Sequence, residues 1–236
     1  MNRQAQAVVL LLVGGAILRA SFTDLYLRYV KAGLQPFLIA SGILLVAAAV
    51  ATLWFELRGG RPAPDDGHGH SHREPAVAWL LVLPVFALLL VAPPALGSYA
   101  ANRSGTALQE TSDFPPLPAG DPVTVGLVDY ATRAVYDDGR SMTGRRVQVS
   151  GFIMIGKDGT PYLARMTLSC CAADARPVKV GLDGQVPTGV PADSWLEITG
   201  RYSQKTAKDD LNDGVIPYIE VQESRRIEPP ANQYDG

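Results

Sequence analysis

Two long stretches of this sequence carry no charged side chain: Ala32 to Phe55 and Pro75 to Asn102. Each exceeds the roughly 20 apolar residues a helix needs to cross a bilayer. They define expected spans at about residues 34–55 and 77–96. An earlier apolar run, Ala7 to Leu18, is too short alone, but with "RASF" it becomes a third expected span at about residues 5–23. Arg19 then lies near one end, where it can snorkel to the interface or pair with Asp24. The rival reading of this first segment is a cleaved signal peptide, with Arg3 as its basic region and "AILRASF" resembling a cleavage site.

The remainder differs in composition. From Ser104 onward there are 13 Lys+Arg and 18 Asp+Glu, a net charge of −5, against +3 in the first 103 residues. The acidic half has alternating apolar and polar runs punctuated by Gly and Pro, as expected of a soluble domain. Its acidity argues against nucleic acid as a partner, because that needs a basic footprint. Three spans place the N-terminus and the C-terminal domain on opposite sides. With the N-terminus inside, Arg3, Arg58, Arg61 and Arg73 on the cytoplasmic side slightly outweigh Arg28 and Lys31, with Arg19 at the boundary, on the outer side, so the C-terminal domain is expected to be extracytoplasmic. The expected location is a multi-pass protein of the cytoplasmic membrane.

The organisation reads as an anchor over residues 1–103, a linker over 104–122 and a domain over 123–236. The anchor contains a polar loop at 59–74, "GGRPAPDDGHGHSHRE". Pro93 and Pro94 should kink or end the third span. "TSDFPPLPAGDP", Thr111 to Pro122, reads as an extended spacer between anchor and domain. "TVGLVDYATRAVYDD" predicts a short helix with Val125, Val128, Ala131, Val135 and Tyr136 on one face. Five strands follow, in "RRVQVSGFIMI", "TPYLARMTLSC", "RPVKVGL", "SWLEITGRY" and "GVIPYIEVQESRRI", with "KDGT" as a hairpin turn between the first two. Gly151 and Gly200 fall inside strands, where glycine marks a bulge or a barrel corner. The expected fold class is therefore a membrane-anchored α plus β protein. Three transmembrane helices precede a small OB-like five-stranded β-barrel with a short helix; an SH3-like barrel or an open sheet are the alternatives.

The hydrophobic segments, the His-containing loop, "APPALGSYAA" and then "GRRVQVSGFI…YLARMTLSCCAADARPVKV…SWLEITGRY…IEVQESRRIEPP" together resemble the YcgQ-like family. The likeness covers nearly the whole chain, and "YLARMTLSCCAADARPV" is its most specific part. It implies a membrane-anchored accessory subunit encoded beside a multi-span permease, and some such permeases resemble transporters of methylated arsenicals. It implies no established substrate and no catalytic residue.

Cys170 and Cys171 are the only cysteines in the chain. In a strand they would point to opposite faces, so acting together requires a turn. If Cys171 begins one helical turn, Asp174 falls on its side three residues on. Two thiolates and a carboxylate suit zinc, and the thiols alone suit softer ions, trivalent arsenic included. The alternatives are a strained disulfide between neighbours, or simple packing beside a turn. His68, His70 and His72 alternate with Gly69 and Ser71, and could form a separate, weak zinc, copper or nickel site or only a flexible polar loop. Under the expected topology they lie across the membrane from the cysteines. Arg165 and Arg176 flank the motif and could lower a thiol pKa, or serve in salt bridges. Asp129 and Tyr130 could face a groove, although a helix packed on the barrel is the simpler reading. The soluble domain contains no histidine, which disfavours a hydrolase and weakens a thiol-dependent enzyme. Three readings follow: a permease accessory subunit whose barrel contacts substrate or transporter, a metal-binding or metal-delivery protein, and a thiol-dependent enzyme.

Overall fold

The computed structural model describes residues 3–58 and 94–235. It divides into two units, one holding the N-terminal helices, the other holding Leu27–Lys31 and the chain from Ala95 onward.

The first unit is built on α1 (Arg3–Ser21) and α2 (Gln35–Leu57). Pro36 stands in the first turn of α2, where its missing N–H costs nothing. Small residues let the two helices approach closely. A Cβ on Gly42 would sit 2.8 Å from Leu18, and one on Gly14 would sit 3.0 Å from Leu45 and Val46. Gln35 Nε2 donates to Ser21 O at 2.8 Å, joining the end of α1 to the start of α2. Phe37, Leu44, Trp54 and Phe55 project outward from α2.

Among the described residues, one helical segment, Ala32–Leu57, is long and apolar enough to cross a membrane. The apolar part of α1, Gln6–Ser21, is shorter. Most of the third expected span lies outside the described residues. The described residues therefore support one spanning helix, not the three expected.

In the second unit, β2 (Val147–Ile155), β3 (Pro161–Thr167), β4 (Arg176–Gly184), β5 (Trp195–Lys208) and β6 (Val215–Arg226) close into a five-stranded barrel. Their circular order is β2-β3-β4-β6-β5, with β4 and β6 parallel and every other neighbouring pair antiparallel. The strand number and the closure into a barrel with a short helix are as expected, and the open-sheet alternative is excluded. Two short strands extend it: β1 (Val123–Thr124) beside β2, and β7 (Tyr234–Asp235) beside β3. The hairpin "KDGT" forms as expected, closed by Gly156 N donating to Thr160 O at 2.8 Å. Gly200 lies at a register shift in the β5–β6 pairing, so the expected bend is there; a side chain at this position would collide with Glu220 O.

The barrel has two apolar surfaces. Its interior holds Val147, Val149, Leu163, Val180, Ile198 and Ile219. Helix α3 (Leu127–Tyr136) packs against this core through Leu127, Tyr130, Ala131 and Ala134. The expected face is met at Val125 and Ala131, which are buried, but Val128, Val135 and Tyr136 are only half-buried, because the i, i+3, i+4, i+7 series starts at Leu127. The Tyr130 hydroxyl donates to Tyr218 O at 2.7 Å, which satisfies both groups inside the domain. The second apolar surface is on the outside, where Phe152, Met154, Ala164, Met166 and Trp195 are covered by Leu96, Ala101 and Tyr234.

The proline-rich segment lies along the barrel. Arg133 Nη2 donates to Pro115 O, and Arg145 Nη2 to Pro118 O and Gly120 O, at 2.8–3.0 Å. Earlier in the same stretch, Thr106 N donates to Asp209 Oδ2 at 2.8 Å, and Asp209 is ion-paired with Lys179 Nζ at 2.7 Å. Both charged side chains are almost fully buried, at 6% and 2% exposure. Burial pushes the Asp209 carboxyl up. Lys179 and the N–H groups of Leu211 and Thr106 outweigh that, so it titrates below the usual carboxylate range.

Removing one member of a buried pair leaves an unpaired charge, so Lys179→Met should cost about 3–5 kcal/mol of stability. A lowered carboxyl pKa stabilises the fold at pH values above the ordinary carboxylate range, and that contribution is lost as pH falls through the folded value. Thermal unfolding of the full chain should therefore show a wild-type advantage over the variant at neutral pH that shrinks below about pH 4.

Candidate functional site

β3 ends at Thr167 and the chain bends through Ser169 and Cys170 before β4 begins at Arg176. The expected turn forms: Cys171 is extended (φ −152°) and caps a single 3-10 turn, Ala172–Asp174. The bend and turn bring one ligand atom each from Cys170, Cys171 and Asp174 to within 4.8 Å of one another. Cys170 is exposed and Cys171 half-buried, and both are free thiols. Neither cysteine is fully buried.

Asp174 organises this corner. Its Oδ1 accepts from Ser169 N at 2.8 Å, and its Oδ2 accepts from Cys170 N at 2.8 Å and Cys171 N at 3.3 Å. The Cys170 thiol also donates to it, and that bond and the backbone amides hold the carboxyl down at about 2. The same carboxylate, with Cys171 as a second neighbour, pushes the Cys170 thiol up to about 11. Cys170 is therefore a protonated thiol at neutral pH, and a poor nucleophile. Asp174 shapes the loop that carries the cysteines, and taking it as a metal ligand would cost some of these bonds. A cavity of about 430 Å³ opens beside it, lined by Ser104, Gly105, Arg176 and Asn212.

A second segment completes the corner. Val30 and Cys171 form an antiparallel bridge, in which Lys31 N donates to Cys170 O at 3.0 Å and Ala172 N donates to Tyr29 O at 2.7 Å. The Tyr234 hydroxyl donates to Arg28 O at 2.9 Å and accepts from Leu96 N at 3.0 Å. Sequence reasoning missed Tyr29, Val30, Lys31 and Tyr234. "LYLRYV" between two apolar runs is weakly alternating, which is the one signal of pairing it carries.

The other candidates fall as follows. Arg165 is in a structural network: it pairs with Asp235 at 3.2 Å, donates to Ser150 Oγ and Asn232 O, and lies over the Trp195 ring at 5.3 Å. Arg176 is exposed. Asp129 pairs with Arg133 at 2.9 Å within α3, and Tyr130 is buried in the core. His68, His70 and His72 lie outside the described residues.

A second cavity, of about 230 Å³, lies between the β2–β3 hairpin and the β5–β6 loop, with Lys157, Tyr162, Lys179 and Tyr218 among its walls. Burial pushes the Tyr162 phenol up to about 12.

The domain is thus a closed five-stranded barrel carrying a vicinal dithiol at the β3–β4 corner. Residues 127–235 match the model of the DUF1980 C-terminal domain, an uncharacterised family. The match covers α3 and the whole barrel. No curated protein and no solved structure matches the chain.

Replacing Asp174 by Asn removes the negative charge that keeps the Cys170 proton in place. In a Cys171→Ala background, Asp174→Asn should raise the rate of Cys170 alkylation by iodoacetamide at pH 8 by roughly 10- to 100-fold, as more thiolate forms. An unchanged rate would mean that the carboxylate does not control the thiol.

Proposed function

We propose that this chain is a membrane-anchored accessory subunit of a permease, with its barrel on the extracytoplasmic side contacting substrate or transporter. The observation that carries the reading is that Leu27–Lys31, the link between α1 and α2, folds as part of the barrel unit. That link and the chain from Ala95 onward then share one side of the membrane. On this reading α2 is one crossing between them, the expected span at about residues 77–96 is the other, and α1 is a third. The loop at 59–74, with His68, His70 and His72, then belongs on the opposite side from the cysteines. The arginine distribution favours the same orientation, and the YcgQ-like resemblance supplies the permease.

A second reading is supported by the convergence of Cys170, Cys171 and Asp174 within 4.8 Å. In it the domain binds a thiophilic metal ion, zinc or softer, with the two sulfurs as principal ligands.

Cys170 is held protonated, so the reporters stand elsewhere in the chain. A reporter introduced at the exposed Glu228 as Glu228→Cys, in a Cys170→Ala, Cys171→Ala background, should be labelled by a membrane-impermeant maleimide in intact cells. In the same background, a reporter introduced as Ser71→Cys should be labelled only after permeabilisation. The reverse pattern overturns the orientation. The tagged full chain, solubilised mildly, should co-purify with a multi-span transport protein in near-stoichiometric amount. Recovery of the chain alone, after cross-linking in the membrane, rejects the permease partner and leaves the topology standing.

A further inference from the structure

The dithiol does not belong to the barrel alone. The backbone groups on either side of Cys171, Cys170 O and Ala172 N, are both taken by the Tyr29–Lys31 segment. Without it, these groups would face solvent at the mouth of the β3–β4 corner, and Cys171 would lose its only β partner among the described residues. Asp174 holds the corner from the other side through the N–H groups of Ser169, Cys170 and Cys171. The two cysteines are thus held between a carboxylate and a strand-like segment. That segment is anchored in turn, one residue earlier, by the Tyr234 hydroxyl on Arg28 O.

Resting on the metal-binding reading above, we propose that Tyr29–Lys31 is a positioning element of a two-sulfur site for a thiophilic cation at Cys170 and Cys171, so that capture of the ion and docking of this segment on the barrel strengthen each other.

The physical reason is preorganisation. A cation that bonds both sulfurs must fix the backbone from Cys170 to Ala172, which costs conformational entropy in a free loop. The bridge to Val30 has already met that cost, so the docked state binds the ion more tightly than the undocked one. Linkage makes the effect reciprocal: the ion holds the segment down by the same factor. Each sulfur gives up its proton to solvent when the ion binds. Asp174 loses the Cys170 S–H donor but keeps its amides, and so remains a brace. Tyr29–Lys31 joins α1 to α2, so ion capture is felt at the link between the two N-terminal helices.

The test uses the reduced full chain in lipid nanodiscs with cadmium as the probe, since its thiolate complexes absorb in the ultraviolet. One cadmium should bind per chain. Binding should slow amide exchange of Tyr29–Lys31 and Cys170–Ala172 by about 5- to 10-fold, at the lower end of known couplings. Tyr234→Phe, which removes the anchor on Arg28 while keeping the ring, should weaken cadmium binding by a similar factor, as should Lys31→Pro, which deletes the N–H that reaches Cys170 O. Cys170→Ser should abolish binding. If cadmium binds but exchange at both segments is unchanged and Tyr234→Phe binds as wild type, the coupling is wrong and the metal-binding reading survives. If no cadmium binds to the reduced chain, both fall. The exchange measurement on wild type needs no variant, so a Lys31→Pro chain that fails to fold does not shelter the proposal.

Discussion

The parallel seam between β4 and β6 is the contact on which this domain depends. Four of the five strand pairings are antiparallel. The fifth, with Gly181 opposite Tyr218 and Leu182 opposite Ile219, joins strands that are not consecutive and turns an open sheet into a barrel. An open sheet would expose two edges of unpaired backbone. The seam requires the connection from β4 to β5 to pass over β6. That connection is pinned at both ends, by Gln185 N on Val221 O and by the paired bonds of Ile153 with Asp193 and Ser194. It also requires Gly181, because the Tyr218 ring occupies the place where a Cβ would stand. Tyr218 O then receives the Tyr130 hydroxyl, so the residue at the seam also positions α3.

Closing the barrel gives the cysteine corner its fixed geometry. β3 and β4 are paired through Thr167 and Arg176, with the bend and the 3-10 turn between them. A corner this tight leaves three successive N–H groups, those of Ser169, Cys170 and Cys171, converging on one side, and Asp174 gathers all three. The carboxylate expected as a candidate metal ligand also makes the turn stable. Its influence on the thiols is electrostatic: it favours the protonated form of Cys170 and so keeps an exposed cysteine chemically quiet until something displaces the proton.

What could be read from the sequence follows from how local each signal is. All five strands, the "KDGT" hairpin and the bend at Gly200 were legible, because alternation and glycine placement are local patterns. The turn after Cys171 and its relation to Asp174 were legible from spacing alone. The buried face around α3 was legible only at Val125 and Ala131, because valines were weighed over Leu127 and Tyr130, whose burial depends on what the barrel offers. Lys179 sits in an alternating strand and reads as solvent-facing. Its partner, Asp209, lies beyond another strand, and only the Thr106 region covering both explains why a charge is buried there. Leu27–Lys31 falls between the first two expected spans, and nothing in those five residues announces a partner in the barrel.

The bond from Tyr234 to Arg28 links residues 206 positions apart. Local contacts form early and long-range ones late, and a chain is made from its N-terminal side at about 5–20 residues per second. The Leu27–Lys31 segment therefore leaves the ribosome many seconds before the strand corner it will pair with exists, and later still acquires its tyrosine anchor. The corner is thus assembled from segments that emerge far apart in time, and its two sides can meet only after β3 and β4 have paired.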